Sequence, residues 1–245
     1  MRRFFVRPEQ ITGACISLTG AEAHHVRSVL RLRPRQVVEF FDGTGTVYHS
    51  EILRIQSSLI EGRIVRRYVE QIADPFPLTL AQVVLKGRKM DLIIQKATEL
   101  GVATLLPLIS RYCEPGRNIE NRIARWQRIV IEGCKQCGRA MPMQISPIMS
   151  LEDIITADYS YPVCCWEKEE QSLLRPGHLT TPGSVLLLIG PEGGFHEKEM
   201  EWVYANNFRI VTLGMHVLRA ETAALAAISI VKYLSSLTAQ ADQNN

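Results

Sequence analysis

The stretch that decides the fold is SVLLLIGPEGGFHEKEM, residues 184–200. The apolar run 185–189 leads directly into the glycine-rich segment 190–194, and an acidic segment typical of a helix follows. A short apolar run bounded by turn residues is typical of a buried strand. Strand, glycine loop and helix in succession predict one unit of an α/β domain, with a loop whose backbone can come close to a ligand.

The same alternation extends on both sides of this stretch. The sequence predicts strands at 78–85, 102–109, 161–166 and 208–214, and helices at 87–101, 121–139, 197–207 and 221–237. Ser150 is expected to cap a further short helix, and the polar tail from residue 238 is expected to fray. Alternating strands and helices favour a mostly parallel sheet covered on both faces.

Residues 1–72 follow a different pattern, rich in β-strands. The sequence predicts strands at 2–6, 36–43, 46–55 and 59–69, a turn at Asp42-Gly43, and a short helix that starts near Thr19 and ends before Pro34. A small barrel is the natural closure for strands of this length. The prolines of ADPFPLTL, residues 73–80, mark the boundary, so we expect domains at 1–72 and 73–245.

Composition excludes several classes of protein. Of 245 residues, 46% are apolar and 22% charged, which is typical of a globular chain. We expect a cytoplasmic protein with no membrane partner, because no apolar run reaches the ~20 residues of a membrane span and no secretory signal is visible. Cys134 and Cys137 form a single C-x-x-C pair in a predicted helix, and His24-His25 has no further ligands beside it, so we expect no metal.

Positive charge is concentrated in the first domain. Residues 1–72 contain eleven arginines, no lysine and seven acidic residues. The planar guanidinium suits phosphate and stacking contacts, so this excess indicates nucleic acid, with a merely solvated basic surface as the alternative.

The loop after residue 189 does not match a phosphate-binding loop. Neither G-x-x-x-x-G-K-[ST] nor G-x-G-x-x-G occurs in it, and Glu192, Glu197, Glu199 and Glu201 would repel a phosphate at the start of the next helix. A neutral or cationic adenosine-type ligand, such as S-adenosylmethionine, suits the loop better. A tight turn that only packs the helix on the sheet is the alternative.

Two segments resemble a known family. LIGPEGGFHEKEM (188–200) and LGMHVLRAETAALAAI (213–228) are similar to the signature loops of the SPOUT, or trefoil-knot, methyltransferases. More closely, the chain resembles the RsmE-type enzymes, which methylate N(3) of a uridine in 16S ribosomal RNA. The segments 2–5, 20–34, 85–102 and 125–139 follow the same family in the same order, so the likeness covers nearly the whole chain.

The resemblance implies an architecture and a reaction. The fold is expected to be α/β, with a C-terminal trefoil-knotted methyltransferase domain of mostly parallel strands and a small N-terminal PUA-like β-barrel that binds RNA. The enzyme is expected to work as a homodimer, with its cofactor S-adenosylmethionine next to the dimer interface, and to act on the assembled small ribosomal subunit. The alternatives are a knotted methyltransferase for another RNA position, and a non-catalytic RNA-binding ribosome-assembly factor.

The resemblance also implies site residues. The expected cofactor contacts are Leu188, Ile189, Gly190, Glu192, Gly194, Leu213, Gly214, Val217, Leu218, Thr222 and Ala223. From the chemistry of the reaction, Arg219 is the expected catalytic cation, with an ion pair to Glu221 or Glu192 as the alternative. Glu192 is expected to receive the proton or to steer the sulfonium. From the positions of basic residues along the chain, the expected RNA contacts are Arg2, Arg3, Arg27, Arg31, Arg33, Lys86, Lys89 and Arg139. One departure is His216, where the family usually has an arginine.

Overall fold

The chain divides into two compact units in a computed structural model that describes residues 1–20, 23, 32–70, 74–113 and 119–243. The first unit contains Met1–Ile72 together with Cys134–Pro142, and the second contains Ala73–Gly133 and Met143–Asn245. Residues 134–142 therefore belong to the first unit, although they were expected in the second domain. Most of the predicted helix after Thr19, including His24 and His25, lies outside the described residues.

The first unit is built on a six-stranded sheet. Its strands are β1 (Arg3–Phe5), β2 (Ile11–Thr12), β3 (Cys15–Thr19), β4 (Val37–Phe41), β5 (Thr46–Ile55) and β6 (Leu59–Val69). The strand order is β1-β4-β5-β6-β3-β2, antiparallel except for the parallel pair β1–β4. Alternate side chains such as Val38, Phe40 and Ile60 are buried in one apolar cluster. This period of two is what a sheet with a single covered face requires.

The predicted turn at Asp42 is confirmed, and its chemistry is visible. Asp42 Oδ1 accepts hydrogen bonds from the Thr44 amide at 2.9 Å and the Thr44 hydroxyl at 2.7 Å. Asp42 Oδ2 accepts one from the Tyr48 hydroxyl at 2.8 Å. The buried carboxylate therefore joins β4 to β5 and fixes the register of the hairpin.

The second unit contains a parallel sheet. Its strands are β7 (Leu78–Val83), β8 (Thr104–Ile109), β9 (Gln144–Ile145), β10 (Met149–Ser150), β11 (Tyr161–Cys165), β12 (Val185–Ile189) and β13 (Arg209–Val211). The order is β10-β8-β7-β12-β11-β13, with β9 beside β8. Every residue of β7 and β12 is buried, as expected for central strands covered on both faces. The predicted parallel α/β arrangement is confirmed.

Four helices are described, namely α1 (Lys89–Glu99), α2 (Ile119–Cys137), α3 (Glu197–Ala205) and α4 (Ala220–Gln243). Gly101, predicted to stop α1, has φ +84°, a conformation that few other residues adopt. Helix α4 packs on β12 and α1 through small residues such as Ala224 and Ala227. It continues to Gln243, so the predicted fraying from residue 238 is not seen. Its segment Ala220–Gln240 is long and apolar enough to cross a membrane, a test that core helices of globular domains also pass.

The helix predicted after Ser150 is wrong in its extent. Ser150 precedes a 3-10 turn at Leu151–Asp153, and a second turn follows at Thr156–Asp158. The Ser150 amide donates to Asp153 Oδ2 at 3.0 Å, so the capping interaction forms. The two β-branched residues Ile154 and Ile155 come next, and such residues favour extended backbone, which ends the turn.

Candidate active site

Three loops meet at the carboxyl ends of neighbouring strands and enclose a cavity of about 830 Å³. We call residues 190–196, after β12, the first loop; residues 212–219, after β13, the second loop; and residues 166–170, after β11, the third loop. Strand β11 lies between β12 and β13, which brings the three loops together. Ligands of open parallel sheets bind at this edge, and the volume suits a small organic molecule.

The first loop needs its glycines for two different reasons. A Cβ at Gly190 would lie 3.0 Å from the ring of Phe195, which is itself buried at 8% exposure in the core. Gly194 has φ +71°, and its amide donates to the Pro191 carbonyl at 3.1 Å. The ring therefore folds back over Gly190 and holds the loop in a tight turn against the end of β12.

Two buried side chains support the first loop. Gln82 Nε2 donates to the Gly190 carbonyl at 3.4 Å and to the Val83 carbonyl at 2.9 Å. The carboxylate of Glu199, 2% exposed, accepts from the amides of His196 and Arg111, each at 2.8 Å. Glu199 thereby caps the first turn of α3 and joins it to the segment after β8. Its carboxylate therefore stabilises the first loop.

The second loop is fixed at its start and exposed at its tip. Thr212 Oγ1 donates to the Gly214 carbonyl at 3.1 Å, and Gly214 has φ +131°, in the region that favours glycine. Met215 is 95% exposed and Val217 76% exposed. The loop thus presents side chains at the cavity mouth, among them His216.

The third loop was not predicted as part of the site. Trp166, Glu167, Glu169 and Glu170 line the cavity, and the Trp166 indole N–H is buried without a hydrogen-bond partner among the described residues. Glu169 accepts from the Ser172 and Gln171 amides, each at 2.9 Å, which lowers the pKa of its carboxyl. Burial raises the pKa of Cys165, at the end of β11, to about 12, so its thiol stays protonated.

Glu192 is held in an ion pair. Its Oε1 accepts from Lys89 Nζ at 2.9 Å and from the Lys86 amide at 3.4 Å. Burial raises the pKa of Glu192, but these hydrogen bonds outweigh burial and leave that pKa below its ordinary value. The carboxylate is therefore ionised at neutral pH and is a weak base. Arg219, also at the cavity, forms no ion pair with any residue that the structure describes.

Most of the predicted cofactor residues border this cavity. Those that line it are Ile189, Gly190, Glu192, Gly194, Leu213, Gly214, Val217, Leu218 and Ala223. Leu188 is fully buried in the core behind the cavity, and Thr222 is exposed on the first turn of α4 without lining it. Contact of each residue with a cofactor stays a prediction.

The predicted RNA contacts have varied surroundings. Arg2 and Arg33 are exposed, Arg139 is partly buried, and all three belong to the first unit, whereas Lys86 is exposed in the second. Lys89 lines the cavity instead of standing on an open surface. Arg27 and Arg31 lie outside the described residues. RNA contact by this set stays a prediction.

Arg3 has a structural task inside the first unit. Its Nη1 lies 3.1 Å from Glu39 Oε1 and also donates to the Gly138 carbonyl. Its guanidinium stacks 4.9 Å from the centre of the Phe41 ring. With its side chain 11% exposed, Arg3 has little surface left for a phosphate.

We expect Arg3→Ala to lower the free energy of unfolding of the first unit by about 2 kcal/mol, because a charge-assisted bond and a cation–π contact are lost from a partly buried site. Thermal unfolding followed by circular dichroism measures this. Arg33→Ala, which removes an exposed arginine, is the control and should leave the melting temperature unchanged. Equal melting temperatures for Arg3→Ala and the wild type would contradict the structural task.

The donor set of the cavity fits a cationic ligand. Its lining within the described residues includes the carboxylates of Glu167, Glu169, Glu170 and Glu192 against the cations Lys89 and Arg219. Such an excess of negative charge attracts a sulfonium and repels phosphates. Gly190 and Gly194 carry no side chains, so the backbone of the first loop can come close to an adenosine. These features fit S-adenosylmethionine.

Family models match both parts of the chain. Residues 73–232 match the RNA methyltransferase domain, and residues 18–65 match the RNA methyltransferase PUA domain. The first match contains every loop of the cavity. The predicted combination of a PUA-like domain with a methyltransferase domain is confirmed.

Named relatives and several solved structures that resemble this chain are methyltransferases, in agreement with the family models. Ribosomal RNA small subunit methyltransferase E of Buchnera aphidicola subsp. Schizaphis graminum is 32% identical, over 94% of this chain and 93% of that one. The enzyme of the same name from Rickettsia conorii is 33% identical over 87% of each chain.

Among solved structures, the methyltransferase of this name from Neisseria gonorrhoeae, bound to S-adenosyl methionine, is 32% identical, with a TM-score of 0.85 over 96% of this chain and 98% of that one. A putative methyltransferase from Legionella pneumophila, with the same cofactor bound, is 28% identical, with a TM-score of 0.86 over 95% of this chain and 97% of that one. With these sequences and folds so alike over almost the full length, the chain belongs to the ribosomal RNA small subunit methyltransferase E family of RNA methyltransferases.

Proposed function

We propose that this protein transfers a methyl group from S-adenosylmethionine to N(3) of a uridine in 16S ribosomal RNA, on the assembled small subunit. The observation that carries the proposal is the cavity at the ends of β11, β12 and β13, which is lined by carboxylates and glycine-containing loops. A relative from the same family was solved with this cofactor bound. The position of the methyl group follows the family resemblance.

The reaction requires the proton on N(3) to pass to solvent water, which spreads negative charge over the two uracil carbonyl oxygens. Bound in the cavity, S-adenosylmethionine supplies a methyl group on a positively charged sulfur. Arg219 lies at the cavity and has no carboxylate partner among the described residues, so its guanidinium is free to stabilise that charge as it develops. Alignment of the two reactants by the three loops supplies much of the remaining rate.

Glu192 suits electrostatic steering better than proton transfer. Lys89 holds its carboxylate ionised with a lowered pKa, and a carboxylate of low pKa is a poor general base. An ionised carboxylate at the rim attracts the sulfonium and so favours the methylated cofactor over its neutral product.

We expect Glu192→Gln to weaken binding of S-adenosylmethionine about fivefold or more, because the ion pair with Lys89 and the attraction to the sulfonium are both lost, and to lower kcat less than tenfold. The pH–rate profile should keep its shape. Steady-state kinetics across pH, with cofactor affinity from calorimetry, measure both. A fall in kcat of two orders of magnitude, with the acidic limb of the profile lost, would instead make Glu192 the proton acceptor, because a general base acts only in its deprotonated form.

RNA contact is proposed for basic residues of both units that are exposed or, for Arg139, partly buried. Arg2, Arg33 and Arg139 in the first unit and Lys86 in the second are the candidates, because contacts to phosphates give affinity without sequence preference. Replacing Arg33 and Lys86 together by alanine should weaken binding to small subunits and flatten its dependence on salt concentration. If the dependence of binding on salt concentration were unchanged, Arg33 and Lys86 would not contact RNA.

A homodimer and a trefoil knot belong to the same proposal. Exposed apolar side chains lie on α4, at Tyr233 and Leu237, and on the second loop, at Met215 and Val217. Side chains of this kind favour association between copies of the chain beside the cavity. Light scattering on the purified protein tests the dimer.

We expect the protein to act in the cytoplasm.

Methyl transfer to small ribosomal subunits that lack the modification tests the proposal. We expect label from S-adenosylmethionine in 3-methyluridine of the 16S RNA, identified by mass spectrometry of nucleosides. Label in another nucleoside would indicate a methyltransferase for a different position. Binding of subunits with no binding of cofactor would indicate an assembly factor.

A further inference from the structure

Lys89 stands where three structural elements meet beside the cavity. It is the first residue of α1, and its Nζ lies 2.9 Å from Glu192 Oε1 of the first loop. The same nitrogen lies 3.9 Å from Glu221 Oε2, on the first turn of α4. One ammonium therefore connects the first turns of α1 and α4 to the first loop, which borders the cavity.

The two carboxylates depend on this ammonium. Glu221 is 16% exposed through its side chain, and its Oε2 has no hydrogen-bond partner among the described residues. Glu192 and Glu221 are both close to a single nitrogen, so without the lysine two negative charges would face each other in a partly desolvated site. Like charges at this separation repel, and the exposed first loop is the element most able to move.

We infer that Lys89 is a positioning residue for the cofactor: its ammonium fastens the first loop to α1 and α4, so that the cavity is formed before S-adenosylmethionine enters. This inference rests on the proposed function and assigns to Lys89 a task other than binding RNA. A preformed loop lowers the ordering cost of binding, so the effect should be seen in cofactor affinity.

The sign of the effect separates positioning from simple charge. S-adenosylmethionine carries a cationic sulfur, so removal of a nearby lysine should strengthen binding if Lys89 acted only through its charge. Removal should weaken binding if Lys89 acts by holding the loop. A contact to RNA phosphate should leave cofactor affinity unchanged and flatten the salt slope of RNA binding.

The experiment compares Lys89→Met with the wild type in calorimetric titrations of S-adenosylmethionine. We expect about fivefold weaker binding, the scale of one partly exposed ion pair, with KM for the cofactor raised in proportion and kcat within about twofold. Lys89→Arg, which keeps the ion pair, should restore affinity to within about twofold. Lys198→Met removes an exposed lysine of α3 that does not line the cavity, and it should bind like the wild type.

A second measurement needs no cofactor. In Lys89→Met, the backbone amides of residues 192–194 should exchange with deuterium faster than in the wild type, because the loop is no longer fastened. In a Glu192→Gln background, Lys89→Met should cost less than about twofold in affinity, since the partner is already lost.

Three outcomes would overturn the inference. They are cofactor binding by Lys89→Met that is unchanged or tighter, an undiminished cost of Lys89→Met in the Glu192→Gln background, and a change confined to the affinity for RNA. A wild-type protein that fails to bind S-adenosylmethionine would be a different result, since it would remove the proposed function itself.

Discussion

Arg219→Ala should lower kcat by about two to three orders of magnitude while cofactor affinity changes less than threefold. The guanidinium lies at the cavity, and no described carboxylate pairs with it, because Lys89 occupies Glu192 and Glu221. A group that acts on charge present only in the transition state affects turnover far more than ground-state binding. Single-turnover methyl transfer with saturating cofactor, together with calorimetry, measures the two quantities separately.

Two further variants make this prediction specific. Arg219→Lys keeps the charge but loses the planar pair of donors, so it should recover only part of the rate. Arg209→Ala removes an exposed arginine of β13 that does not line the cavity, and it should behave like the wild type. Full activity in Arg219→Ala would remove this residue from the mechanism.

Gly190→Val should weaken cofactor binding about a hundredfold or more. A Cβ alone would already lie 3.0 Å from the Phe195 ring, and the two further carbons of valine need more room. Phe195 is packed in the core with Met200 and Val203, so the backbone of the first loop has to move instead. Calorimetric titration with S-adenosylmethionine measures the loss.

Gly193→Ala is the matched control in the same loop. A Cβ there would meet Tyr112 at 3.5 Å, which is an ordinary contact, and Gly193 does not have a positive φ. Its effect on affinity should be at most about threefold. Equal losses in the two variants would show that the packing of Phe195 over Gly190 does not control the cavity. Melting temperatures of both variants separate local from global damage.

Periodicity and turn chemistry predicted most of the fold. Apolar runs such as 185–189 are long enough to define central strands, and Gly101 and Asp42 mark an end and a turn through their own backbone and side-chain chemistry. Strand β3 (Cys15–Thr19) was missed because it is short and its alternation covers only Ile16 and Leu18. The helix after Ser150 was overestimated because a capping residue starts a turn without determining its length.

The site was predicted in part, for a physical reason. The first and second loops follow strands with glycines, which a single sequence reveals. The third loop follows YPVCCW and contains EKEE, which resembles a solvated acidic segment. It joins the cavity because β11 pairs with both β12 and β13, and pairing between strands distant in sequence has no local signature. The ion pair between Lys89 and Glu192, which are 103 residues apart, could not be predicted for the same reason.

A crystal structure of the protein with S-adenosylmethionine tests the central claim most directly. The account predicts the cofactor in the cavity between the three loops, with its adenosine on the backbone of residues 190–194 and 212–218 and its sulfur facing Arg219. Cofactor bound at any other surface, or a cavity left empty at saturating cofactor, would contradict it.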